Sequence, residues 1–99
     1  MNPDDLAEQI WPQLSAIAEA RGLRRISRVE MVVGVLYGIE EEVLVESIQH
    51  IFRNTSFAQA QVHVRVLSPG SEFVPPNSDI CINATGWEIL ILKLEGDEF

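Results

Sequence analysis

Two histidines, one cysteine and a run of three glutamates are the residues of this chain whose side chains could most readily bind a metal or transfer a proton. The histidines are His50 and His63, the cysteine is Cys81 and the glutamates are residues 40–42. The chain contains no Gly-rich phosphate loop, no His-Glu-x-x-His motif and no nucleophile elbow. Since no pair of groups has a spacing that suggests a reaction, direct catalysis is the least favoured function.

The elements that carry these residues favour ordinary structural roles. His50 projects to the flank of an amphipathic helix and His63 to the polar side of a strand, so we interpret both as surface histidines. A metal site that uses His50 or His63 is the alternative. The glutamates 40–42 are explained by a helix start, where the dipole favours negative charge. Cys81 lies between two isoleucines and is predicted to be a half-buried packing residue, without the nearby cation that a reactive thiol needs.

The centre of the chain reads as a strand, a turn and a helix. In residues 28–33 apolar and charged side chains alternate, which is the period of a half-buried strand. Gly34 and Gly38 then supply backbone freedom for a turn. The helix after the glutamates has one face for a core, formed by Val43, Leu44, Ser47, Ile48, Ile51 and Phe52.

A first helix is signalled at the amino terminus. Asn2 can cap it, Pro3 suits the first helical position and Gly22 provides a left-handed stop. Its apolar stripe consists of Leu6, Ile10, Leu14 and Ile17, with Trp11 and Ala18 on the flank. Because Pro12 removes one helical hydrogen bond, we expect either a kink near Glu8 or two helical pieces. Trp11, like Trp87, is interpreted as a core or interface anchor.

The second half of the chain alternates strands with loop chemistry. Residues 62–66 form a strand with three valines on one side, and 68–77 are rich in Pro, Gly and Ser. A brief strand at 80–83 could fold back on the last segment of the chain. That segment, 87–95, is apolar on both faces, which is typical of a strand that is central in its sheet or covered on both sides. The acidic residues 96–99 are expected to fray.

The element order is α-β-α-β-(β)-β, which predicts an α+β domain with two helices on one face of a small three-stranded sheet. If the brief strand joins it, the sheet has four strands. The other face would then be uncovered and would carry one of two apolar rows of the last strand. These rows are Trp87, Ile89 and Ile91, or Leu90, Leu92 and Leu94. We take the row Trp87, Ile89 and Ile91 as the candidate partner interface, buried in a homodimer or a complex.

Composition limits the class of protein. Ninety-nine residues predict a single domain over 1–99. A net charge of −8 makes nucleic acid an unsuitable partner, because phosphate binding depends on clustered Lys and Arg. We find no membrane-spanning run and no signal peptide. With one cysteine no internal disulfide can form, so a cytoplasmic location is the default.

These residues carry a resemblance to a known family. The block RVEMVVGVLYGIEEEVLVESIQHIFRNTSFAQAQVHVRVL and the terminal GWEILILKLE resemble the HypA family of nickel metallochaperones, which assist nickel insertion into hydrogenase and sometimes urease. The resemblance spans most of the chain. It implies an α+β nickel-binding domain with its first and last long strands adjacent, and a zinc domain inserted before the last strand.

The sequence departs from that family where metal would bind. The family begins Met-His-Glu and binds nickel through the terminal amine, the imidazole and backbone nitrogens of residues two and three. Here Asn2 has no imidazole, and Pro3 has no N–H to deprotonate. The family's zinc site uses two Cys-x-x-Cys pairs, whereas residues 68–86 contain one cysteine. We therefore expect no structural zinc, a short loop or hairpin at 68–86, and no family nickel site.

The resemblance implies protein partners, namely a HypB-like GTPase or the hydrogenase large subunit. The leading hypothesis is a HypA-like accessory protein of hydrogenase or related metalloenzyme maturation that acts as an adaptor with degenerate metal sites. One alternative is a working nickel chaperone with other ligands, supplied across a dimer, by a partner or by His50 and His63. Another is an interaction subunit recruited to an unrelated enzyme complex.

Overall fold

The fold is built on one long strand that pairs with two others and supports both helices on one side. In the computed structural model, residues 1–98 are described. The elements are α1 (Pro3–Ala20), β1 (Leu23–Gly34), a 3-10 turn (Val35–Tyr37), α2 (Glu41–Phe52), β2 (Gln61–Leu67), β3 (Glu72–Phe73), β4 (Ile82–Asn83) and β5 (Ile89–Glu98). The α+β class and its three-stranded main sheet are as predicted, and β3 and β4 form a separate two-stranded ribbon.

The strand order in the main sheet is β2-β1-β5, so β1 is central. β1 and β2 are parallel, in register from Arg28 opposite Gln61 to Gly34 opposite Leu67. Their connection therefore has to cross over, and α2 is that crossover. β5 runs antiparallel to β1, which confirms that the first and last long strands are adjacent. The prediction that the last strand is central or covered on both sides is wrong, because β5 is an edge strand and Leu92 on it is exposed.

The main core lies between the helices and one side of the sheet. Its largest members are Leu6, Ile10, Leu14, Ile26, Val29, Met31, Leu44, Ile48, Phe52 and Phe57. Most of these come from the predicted helix stripes and from β1, where Val29 and Met31 alternate as the strand period requires, whereas Phe57 lies in the connection between α2 and β2. Val43 is the exception on α2: the helical period assigns it to the buried face, but its side chain is 41% exposed. Val45 packs against the core in its place, so the buried face of α2 is displaced from the predicted one.

Helix α1 begins and ends where the sequence predicts. Asn2 Oδ1 accepts a hydrogen bond from Asp4 N at 2.8 Å, and Gly22 has a φ of 67° just beyond the end of the helix. The helix continues through Pro12 as one segment, so the alternative of two helical pieces is wrong. Trp11 anchors the helix to the core: its ring meets Phe57 edge-on, with centroids 5.1 Å apart.

A β-bulge in β5 changes which side chains face the helices. Glu30 lies opposite Lys93 and Met31 opposite Ile91, so Leu92 is an extra residue between them. The bulge therefore divides the predicted row Leu90, Leu92 and Leu94, whereas Ile89 and Ile91 stay on one side of the strand. On the helical side lie Leu94, Ile91 and Ile89, and Leu90 packs on the other side. The strand also extends to Glu98, paired with Leu23, so the expected fraying at 96–98 is wrong; Phe99 lies outside the described residues.

The side of the sheet that faces away from the helices, here called the open face, carries two ion pairs. The Arg28 and Glu30 side chains form an ion pair at 3.0 Å, and those of Lys93 and Glu95 form another at 2.7 Å. The Arg28 guanidinium group lowers the pKa of Glu30 through its hydrogen bond and its charge, with a smaller contribution from Lys93. The expectation of an apolar uncovered face is therefore wrong for this part of the sheet.

The segment 68–86 covers the remaining end of the open face. Glu72 and Phe73 of β3 pair with Asn83 and Ile82 of β4, so the brief strand pairs with the loop before it and not with the strand after it. The ribbon is held by a small apolar cluster, formed by Val32, Leu67, Phe73 and Ala84 with Leu90 against it. None of the helices within residues 1–98 has the length and apolarity that spanning a membrane requires.

Candidate interaction surface

The loop after β1 and the loop before β5 are bonded to each other at one end of the sheet. Gly34 N donates to Glu88 O at 2.7 Å, and Leu36 N donates to Gly86 O at 3.0 Å. Gly38 has a φ of 70° and ends the 3-10 turn that Val35 begins. The predicted turn between the two glycines is therefore present. Its apolar residues are held against residues 86–88 by these backbone contacts.

The Glu88 carboxylate holds the loop before β5 in one conformation. It accepts hydrogen bonds from Thr85 N at 2.7 Å, Thr85 Oγ1 at 2.9 Å and Gly86 N at 3.0 Å. Partial desolvation acts to raise the pKa of Glu88, but the hydrogen bonds from Thr85 and Gly86 together outweigh it and the pKa is lowered. Thr85 Oγ1 in turn accepts from Trp87 N at 3.1 Å. The backbone that presents Trp87 is thereby ordered.

Four residues form an exposed apolar surface on these loops. The Trp87 ring meets the Tyr37 ring edge-on, with centroids 5.2 Å apart, and Tyr37 Oη donates to Trp87 O at 2.8 Å. The Met1 amine donates to Tyr37 O at 3.2 Å. Trp87 is 57% exposed, Met1 55% and Leu36 46%. We call Met1, Leu36, Tyr37 and Trp87 the Trp87 corner.

The structure separates the three residues that the sequence placed in one interface row. Trp87 precedes β5 and is exposed, whereas Ile89 and Ile91 are half-buried and pack against the main core. Their placement on an uncovered face is therefore corrected, and a partner contact by Trp87 stays a prediction. The sequence analysis did not identify Leu36 and Met1 as part of an interaction surface. The signal for Leu36 was present, since an apolar tripeptide between two glycines lies on a turn and has little core to enter.

The two histidines are not brought together. His50 is exposed on α2, and His63 is exposed on the open face, so the sheet lies between them. Their exposure agrees with the interpretation as surface histidines. Throughout residues 1–98, no three His, Cys, Asp or Glu side chains are grouped so that they could hold a metal ion. Cys81 is exposed, so its assignment as a half-buried packing residue is wrong. Cys81 precedes the short strand β4, and its neighbours Ile80 and Ile82 are also exposed.

The first three residues have structural tasks. The Met1 amine is bonded to Tyr37 O, the Asn2 side chain caps α1, and Pro3 is the first residue of that helix. Pro3 is suited to this position because its missing N–H would have no partner inside the helix. The N-terminal segment is in this way joined to the Trp87 corner.

The chain is an α+β domain. Its two helices cover one side of a β2-β1-β5 sheet, α2 is the crossover between β1 and β2, and a two-stranded ribbon precedes the last strand. The chain matches the solution structure of the Ni metallochaperone HypA from Helicobacter pylori with a TM-score of 0.72 and 15% identity, over 100% of each chain. It matches a second solution structure of a HypA protein with a TM-score of 0.61 and 15% identity, over 91% of each chain. The predicted HypA-like fold is therefore confirmed. No protein-family model and no curated protein sequence matches the chain.

Proposed function

We propose that this chain is a HypA-like accessory protein of hydrogenase or related metalloenzyme maturation, and that it acts in the cytoplasm as a non-enzymatic adaptor. The fold similarity over the full chain supports the accessory role. The adaptor role is supported by how the N-terminal residues are used. In the resembled family these positions bind nickel, whereas here Asn2 Oδ1 is occupied by the Asp4 N–H and Pro3 has no N–H to replace with a metal bond.

The Trp87 corner is the proposed contact for a protein partner, with a HypB-like GTPase or the hydrogenase large subunit as the candidates. A tryptophan that is exposed yet held by neighbours loses little conformational freedom on binding, which is typical of interface hot spots. Here Tyr37 supports the Trp87 ring and Glu88 orders its backbone. Exposed Leu36 and Met1 extend the apolar area around it.

The segment 68–86 stands in place of the family's zinc domain in this proposal. Phe73 and Ala84 are buried against Val32 and Leu67 of the main sheet, and Ala84 N donates to Ser71 O at 2.7 Å. Arg65 Nη2 also donates to Glu72 O at 3.3 Å. Since these contacts attach the ribbon to the main sheet, it has a source of stability other than zinc.

The test is a binding measurement with purified partners. The HypB-like GTPase and the hydrogenase large subunit from the same genome would each be titrated against the chain by calorimetry. We expect one of them to bind, and Trp87→Ala to weaken that binding at least about tenfold. Val43→Ala is the matched control, because Val43 is an apolar side chain exposed on α2 that is not part of the Trp87 corner. Absence of binding to either partner, or equal losses in the two variants, would overturn the proposal.

A further inference from the structure

The main sheet has two edge strands, β2 and β5, and they differ in how readily a further strand could pair with them. On β5 the bulge at Leu92 disrupts the ladder, and Arg21 Nη1 donates to Leu94 O at 2.5 Å. Bulges and charged side chains on an edge strand are the devices by which proteins prevent edge-to-edge pairing. The β5 edge is thus obstructed.

The β2 edge is less protected, because it has no bulge and its one charged side chain is that of Arg65. Its seven residues pair with β1 without a register shift, and they include no proline, glycine or lysine. Within residues 1–98, the strand is last in the sheet order, and residues 61–67 make no backbone hydrogen bonds outside the β ladder. Its outward N–H and C=O groups are therefore available to a fourth strand.

The side chains along β2 indicate what that strand would contain. Val62, Val64 and Val66 alternate on the helical side, and Gln61, His63 and Arg65 alternate on the open face. None of the fifteen carboxylate side chains of the chain lies within β2. A strand added here would place alternate residues beside the valines and the others beside His63 and Arg65, where carboxylates pair favourably and lysines do not.

We propose that the β2 edge binds an extended protein segment in which apolar and acidic residues alternate. A second copy of the chain fits this edge less well. Antiparallel pairing about Val64 would place His63 of each copy opposite Arg65 of the other, with no carboxylate between them. This inference goes beyond the proposed function, because it names a different surface and requires no role in metalloenzyme maturation.

The test uses short synthetic peptides and the full chain labelled with ¹⁵N. A seven-residue peptide that alternates valine and glutamate is titrated beside one that alternates valine and lysine. We expect the glutamate peptide to bind at least about fivefold more tightly and to shift the amide signals of residues 61–67. Two further peptides carry N-methyl groups on alternate amides, in the two registers. Only one of them should lose binding, because an added strand donates every second amide to its neighbour.

Variants of the chain test the charge argument. Arg65→Gln should weaken binding of the glutamate peptide about threefold, whereas Arg53→Gln, the same change at the end of α2, should have no effect. Equal binding of the two peptides, signal shifts at the Trp87 corner, or no binding at millimolar peptide would overturn the inference. A stable dimer in light scattering, with residues 61–67 protected from hydrogen exchange, would also overturn it, because a second copy would then occupy the edge.

Discussion

Gly34 and Gly86 approach each other so closely that a Cβ atom placed on Gly34 would lie 1.9 Å from the Gly86 carbonyl oxygen. No side-chain movement could relieve this contact, since the opposing atoms belong to the backbone. Gly34 has an ordinary extended conformation, with a φ of −68°, so it is required for this approach and not for a turn. The junction between β1 and the loop before β5 depends on it.

The first prediction concerns this junction. Gly34→Ala should lower the free energy of unfolding by about 3 kcal/mol or more, because backbone must separate at the Trp87 corner. Gly38→Ala is the matched control: a Cβ there meets nothing within 4 Å, and only the left-handed φ of 70° is strained. That strain costs about 1 kcal/mol. Urea unfolding of both variants measures the difference, and equal losses would contradict the role given to Gly34.

The second prediction contrasts the two tryptophans. Trp11 packs against Phe52 and Phe57 in the core, so Trp11→Ala should destabilise the chain by about 3 kcal/mol. Trp87 packs only against Tyr37 among aromatic residues in the described part of the chain and is 57% exposed. Its replacement by alanine should cost about 1 kcal/mol. Urea midpoints for the two variants test this, and a larger loss at Trp87 would mean that the corner is structural.

The third prediction concerns pH. Because the pKa of Glu88 is lowered from its usual 4.5 in the folded state, its carboxylate stabilises the fold above about pH 4.5. That stabilisation is lost as the pH falls through the lower, folded-state pKa. Glu88→Gln should therefore be less stable than the parent at neutral pH, and the gap should close in acid. Thermal melts across this range measure the gap, with Glu46→Gln on the exposed face of α2 as the control. A gap that is independent of pH would show that ionisation of Glu88 is not involved.

The fourth prediction concerns nickel. His50 and His63 lie on opposite sides of the sheet, and Pro3 cannot supply an amidate ligand. Titration calorimetry of the metal-free chain with Ni²⁺ should show no tight one-to-one binding. The double variant His50→Ala, His63→Ala should behave like the parent. If tight nickel binding occurred and the double variant lost it, the adaptor proposal would fail and the chaperone alternative would replace it.

Features that depend on a few neighbouring residues could be predicted from the sequence. The cap at Asn2, the stop at Gly22 and the alternation along β1 are local signals, and each is where it was predicted. They depend on backbone preferences within a few residues, which a sequence displays directly. For the same reason the surface positions of His50 and His63 could be predicted from the period of the elements that carry them.

The positions of the predicted interface residues Trp87, Ile89 and Ile91 could not be predicted from such local signals. Trp87 lies on the loop before β5, whereas Ile89 is the first residue of β5 and packs against the core; where β5 begins depends on its pairing with β1. The exposure of Val43 likewise depends on where the helices lie on the sheet and not on its own helix.

The sequence by itself determined the helices, the main strands and the residue types at positions 2 and 3, an asparagine without an imidazole and a proline without an N–H. Tertiary structure alone decided that β2 and β5 are the edge strands of the main sheet and that the open face carries ion pairs. The physical reason is that element type depends on periods of a few residues, whereas strand order and bulges depend on contacts between residues far apart in the chain. Both candidate binding surfaces arise from such contacts.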